Sequence, residues 1–192
     1  MENKKIYNRV YLFILITLIA GGLGLGSPAT PETRYEGAIK KLKEASSEEE
    51  RFYALNNAAK ESFRIGKVDG AKNYATELLG LAPKYQKNWN YGNAIQDANI
   101  VFGRIALKAG RLDEAKADLL NAGKSPGSPT MNSFGPNMSL AKDLLESKHP
   151  EVVLEYLELC RKFWKAEFSQ IDQWEAEIKS GKIPNFGANL NY

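Results

Sequence analysis

Apolar side chains recur at intervals of three and four from Tyr35 almost to the end of this chain, and no segment alternates in twos. That spacing lines them along one face of an α-helix, whereas a half-buried strand needs a period of two. The pattern predicts an all-α fold. With 43% apolar and 26% charged residues, the chain has enough apolar surface to build a packed core and avoid disorder.

Glycine, proline and serine divide the helical pattern. Residues 30–46 read as a linker and a short first helix from Tyr35 to Ala45. Ser46 or Ser47 caps a second helix, whose first turn holds Glu48, Glu49 and Glu50, where carboxylates meet the positive end of the helix dipole. Phe52, Leu55, Ala59 and Phe63 form its apolar face, and Gly66 ends it. A partner runs from Val68 to Leu81 and stops at Pro83. A second pair follows, Trp89 to Ala109 and Leu112 to Ala122, with Gly110 between its members. Beyond the loop 123–137, a third pair is expected over Pro136–Ser147 and Pro150–Trp164, both prolines suiting a first helical position. A last helix covers Ser169 to Ser180.

Ala58, Ala59, Gly66, Ala71 and Pro83 sit where a tetratricopeptide repeat places its small, turn-glycine and proline positions. Gly103, Gly110 and Ala115 repeat that spacing, within the string AGRLDEAKADLL. Residues 47–122 therefore resemble two tetratricopeptide units, and the resemblance implies helical hairpins forming a short α-solenoid. The two units lie 44 residues apart, ten more than one repeat, and the second lacks the closing proline. A generic helical bundle is the alternative. Residues 123–192 would supply the long loop, the third hairpin and the C-terminal helix. Part of that region (GSPTMNSFGPNMSLAKDLLE with EVVLEYLELCRKFW) also resembles a family of bacterial tetratricopeptide-like proteins to which no activity is attached.

Residues 1–29 read as a targeting segment. Lys4, Lys5 and Arg9 precede the apolar run VYLFILITLIA from Val10 to Ala20, then GGLGLG and Ser27-Pro28-Ala29. The apolar stretch Val10–Gly26 is 17 residues long, so it suits either a cleaved signal peptide or an anchor at the lower limit for a membrane span. Both place the chain outside the cytoplasm, in a bacterial cell envelope. This segment takes three basic residues and one acidic from totals of 26 and 23, leaving 23 and 22. The remainder has too little net charge to point to nucleic acid.

Little in the chain suggests catalysis. His149 is the only histidine and has no evident partner, and Cys160 lies on an apolar helix face. No cofactor or metal is expected, since GGLGLG follows no strand and one cysteine makes no cluster. Two features suit binding instead. In tetratricopeptide folds the first helix of each hairpin lines a concave groove, and the resemblance places Lys60 and Arg64, then Arg104 and Lys108, on that surface with Asn56 beside them. Each pair is spaced i,i+4, so each follows one helix face. The four cations are expected to attract a protein or peptide that is acidic or has a free C-terminal carboxylate; plain solvation is their other use. The loop 123–137 offers Asn132, Ser133, Phe134 and Asn137 either to a partner or to the cap of the helix at Pro136. The expected function is a non-enzymatic binding scaffold. The alternatives are a hydrolase using groove carboxylates and a structural assembly subunit.

Overall fold

Several helices begin where a side-chain oxygen satisfies backbone N–H groups left over at their start. The structure, a computed structural model, describes residues 29–165 and 168–191, and those residues contain helices and no strand. The expected targeting segment lies outside them. Among the described residues no helix is long and apolar enough to cross a membrane.

Helix α1 spans Pro31–Glu44, four residues earlier than the periodicity predicts. Thr30 accepts a hydrogen bond from Thr33 N at 3.2 Å and Pro31 takes the first turn, so the presumed linker is the start of the helix. Helix α2 (Glu48–Arg64) is capped by Ser47, whose Oγ accepts from Glu50 N at 3.1 Å. Glu50 reaches back to the Ser46 N–H and hydroxyl, both at 2.8 Å, and these bonds hold its carboxyl below the usual value. Helix α3 (Val68–Leu81) runs into a 3₁₀ turn at Ala82–Tyr85, and α4 (Tyr91–Lys108) pairs with α5 (Leu112–Gly123).

The loop after α5 is shorter than expected, because Pro129–Phe134 forms α6 under a Ser128 cap. Helix α7 starts at Ser139, not Pro136. Gly135, at φ +88°, ends α6, and the chain turns before Asn137 Oδ1 accepts from Ser139 N at 2.9 Å. Helices α8 (Pro150–Cys160) and α9 (Phe168–Lys179) follow, and then a 3₁₀ turn at Gly187–Leu190.

Helix α2 packs on α3 and α4, α4 on α5 and α7, α5 on α8, and α8 on α7 and α9. The hairpins thus stack in chain order, with α4 central. One apolar cluster joins α1–α4 around Phe52, Leu55 and Leu78. A second joins α4, α5 and α7–α9 around Leu119, Leu140, Tyr156 and Trp174. Cys160 is buried in the latter, and burial pushes its thiol well above the ordinary value, so it is held as an inert thiol.

Four turns close in the same way. Gly66 N donates to the Phe63 carbonyl and Lys67 N to the Ser62 carbonyl, at 3.0 and 2.9 Å. Gly110 and Arg111 repeat this on Leu107 and Ala106, and Gly181 and Lys182 on Ile178 and Glu177. Such paired bonds satisfy orphan helix carbonyls and need a left-handed residue between them. At the α7–α8 turn that residue is Lys148, at φ +69°. Its Cβ makes this conformation costly, so Lys148→Gly is expected to stabilise the fold by about 1 kcal/mol, net of glycine's looser unfolded state. Thermal unfolding checks this; an unchanged or lower melting temperature argues against strain at this turn.

Where α4 crosses α5, the Ala115 carbonyl and Asp118 Cβ lie 3.3 and 3.1 Å from the place a Cβ on Gly103 would occupy. Burial at this crossing, with a smaller contribution from the Glu114 carboxylate, lifts the Asp118 carboxyl to about 6. The folded chain therefore holds this proton more tightly than the unfolded one. The associated stability is complete below the ordinary value of 3.8 and is lost as pH rises through about 6. Asp118→Asn is expected to raise stability at pH 7.5 by about 1 kcal/mol, after discounting for partial exposure, and to change little at pH 3.5. Equal gains at both pH values in urea unfolding would refute the desolvated carboxyl.

Candidate functional site

Helix α4 carries an unusual stripe for a central helix. Gln96, Asp97 and Asn99 are buried on it, and Asn90 is buried just before its first turn. Buried polar groups need partners, and Asn90 and Asp97 find theirs in a row of side-chain amides, while Asn99 donates to the Ile95 carbonyl at 2.7 Å. Asn93 Nδ2 donates to Asn90 Oδ1 at 3.2 Å, Asn90 Nδ2 to Asn56 Oδ1 at 2.9 Å, and Asn56 Nδ2 to Asp97 Oδ2 at 2.8 Å. The Lys60 ammonium lies 2.9 Å from the same Asp97 oxygen. Ser128 Oγ extends the row by donating to Asn93 Oδ1 at 2.7 Å, which ties α6 to α4. A neighbouring chain runs from Gln96 Nε2 to the Tyr156 hydroxyl (3.2 Å) and from that hydroxyl to the Asn137 carbonyl (2.8 Å).

This row floors an opening of about 360 Å³ bordered by α2, α4 and α6. Trp89, 52% exposed, and Phe134, 56% exposed, both line it. Trp89 stands clear because Asn88 and Asn90 form a turn before α4, with Asn90 N donating to Asn88 Oδ1 at 2.9 Å. The Tyr53 ring lies 5.2 Å from the Trp89 ring. Tyr53 is held in turn by its bond to Glu49 and by Asn88 Nδ2, which donates to its hydroxyl at 2.7 Å.

Of the four cations expected to form one strip, Lys60, Arg64 and Arg104 line a narrow cleft between α2 and α4 that lies between two larger openings. Lys60 also borders the opening floored by the amide row, and Arg64, Arg104 and Lys108 border a second, of about 600 Å³, with Phe63 and Asp143. Three of the four are engaged inside the chain. Lys60 is bonded to Asp97; Arg64 pairs with Glu61 and donates to the Leu190 carbonyl at 3.0 Å. Arg104 Nε donates to Asp143 Oδ2 at 2.7 Å, and its guanidinium lies 4.7 Å from the Phe63 ring centre. Lys108 is exposed. Asn56, expected beside the strip, is buried in the amide row.

Of the loop residues, Asn132 and Ser133 are exposed, the latter donating to the Pro129 carbonyl at 3.0 Å. Asn137 is buried and serves the structure: its N–H donates to Gln96 Oε1 at 3.0 Å while its side chain caps α7. Sequence reasoning missed Asp97, Asn90 and Asn93. The signal was present, since positions 90, 93 and 97 share one helical face.

Of the carboxylates here, Glu61, Asp97 and Asp143 are each bonded to a cation. Among the described residues no cluster of His, Cys, Asp and Glu suits a metal ion. Ile171, Trp174 and Ile178 of α9 are buried. No family model, curated protein or solved structure matches the chain.

Proposed function

We propose that this chain is a tetratricopeptide-like binding scaffold of the cell envelope, which captures a protein or peptide and catalyses no reaction. The opening between α2, α4 and α6 carries the reading: a pre-formed concavity with exposed aromatics over a fixed polar floor is the usual form of a ligand site. The repeat character draws support from the four equivalent turns and from the register of 44 residues that relates Ala59 to Gly103 and Ala71 to Ala115. Helices α2, α4 and α7 would then form the concave layer. Localisation rests on the charged and apolar pattern of residues 1–29.

The test is site-specific photocrosslinking of the full chain in its own cells. A photoreactive residue at Asn57, exposed beside the opening, is expected to capture a discrete protein, and one at Ala117, exposed on α5, is not. Capture from neither position, with the chain stably produced, would remove the scaffold reading. A fusion of residues 1–35 to a reporter active only outside the cytoplasm tests export separately.

A further inference from the structure

We propose that the opening beside Trp89 receives an uncharged, extended peptide segment bearing a large apolar side chain, and not an acidic or carboxylate-terminated one. This rests on the peptide-binding reading and specifies its ligand.

Charge is the first argument. Among the described residues, Lys60 and Asp97 are the only charged residues lining this opening, and they are bonded to each other at 2.9 Å. Both side chains are largely shielded from water, 13% and 8% exposed. A ligand carboxylate would meet a Lys60 charge already neutralised by Asp97, and the Asp97 carboxylate itself would repel it where the effective dielectric is low. Arg64 and Arg104 are likewise engaged, with Glu61 and Asp143. The floor therefore favours a neutral ligand.

Hydrogen-bonding capacity is the second. Asn56, Asn90 and Asn93 each donate one bond along the row, and a side-chain amide has a second N–H beyond the one so used. Asn57 and Thr130 line the same opening with exposed side chains. A side-chain amide donates and accepts at once, as does each peptide unit of an extended main chain. Because each amide is oriented by the next, the floor is ordered before any ligand arrives, which lowers the entropic cost of binding.

The aromatic wall is the third. Trp89 and Phe134 are two of the three most exposed large apolar side chains of the described residues, and they come from different elements to the same opening. The Tyr53 ring stacked obliquely against Trp89 keeps the indole in place. An aromatic or branched aliphatic ligand side chain buried there would meet a pre-positioned surface of the kind that dominates peptide affinity.

The experiment pans random 12-residue peptides, with free and with amidated C-termini, on the purified full chain, then measures affinities of synthetic winners by calorimetry. Enriched peptides are expected to share a large apolar residue flanked by uncharged ones, with affinity indifferent to C-terminal amidation. Trp89→Ala is expected to weaken them roughly tenfold or more. Should Trp89→Ala prove unstable, Asn57→Arg, at an exposed position, is expected to do the same by filling the opening. Acidic or carboxylate-dependent peptides that bind both variants as they bind wild type would place the ligand in the neighbouring opening. That result overturns this inference and leaves the peptide-binding reading standing. Apolar peptides indifferent to both substitutions overturn it equally. Failure to enrich any peptide, or Trp89-dependent binding of oligosaccharides alone on a glycan array, removes both.

Discussion

Gly92→Ala is expected to destabilise the fold by about 3 kcal/mol, at the upper end of what overpacking costs. On helix propensity alone the change would stabilise by about 1 kcal/mol, because Gly92 lies within α4. Packing reverses the sign. A Cβ on Gly92 would lie 1.9 Å from the Gly127 carbonyl oxygen and 2.4 Å from its carbonyl carbon. Both atoms are backbone, so no side-chain rotation relieves the clash. Gly127 has little room to retreat, since its own Cβ position falls 2.4 Å from Phe163 Cβ. The Gly92 carbonyl also accepts from Ser125 Oγ at 2.8 Å, so displacing the loop breaks a buried hydrogen bond as well. The urea midpoint of the variant checks this, and a loss below 1 kcal/mol would show that the loop does not seat on α4 as described. Because the same loop carries α6 and Phe134, the variant should also lose any ligand bound beside Trp89.

Asp97→Asn is expected to cost a similar amount, about 3 kcal/mol. The replacement is nearly isosteric, so packing changes little and the charge is what is tested. Lys60 then keeps a largely buried ammonium with no carboxylate beside it. The Asn56 amide loses a charged acceptor for a neutral one. A buried pair gains little over apolar residues of similar volume, and most of the loss comes from orphaning one partner. The double variant Lys60→Met, Asp97→Leu should therefore recover much of the stability lost in Asp97→Asn. If the double variant is as unstable as the single, the amide row and not the ion pair supplies the stability.

Helix type, order and most boundaries were legible in the sequence for a local reason. Val68–Leu81 and the starts of α2, α5 and α8 coincide with the expected positions, because Ser47, Gly66, Gly110 and Pro150 act through their own backbone or their nearest neighbours. The expectations that moved were those set by contacts distant along the chain. Pro136 looked like a helix start, but the helix waits for Ser139 because Asn137 and Met138 are bonded to Gln96 and Asn189. The loop 123–137 looked unstructured because nothing local announces that Gly127 will rest on Gly92. The third turn escaped the repeat pattern since Lys148 holds the glycine position.

The candidate site divides along the same line. Periodicity alone put Lys60 with Arg64, and Arg104 with Lys108, on common helix faces, because a helical face is a property of spacing within one segment. Which charges stay available depends on what the other helices bring against that face. Packing brought Asp97 to Lys60 across 37 positions and Asp143 to Arg104 across 39. A sequence can therefore announce a cationic stripe, but only the fold sets its counter-charges, since ion pairs between helices are fixed by crossings that no local pattern encodes. The exposure of Trp89 beside a neutral amide floor was decided at that level too.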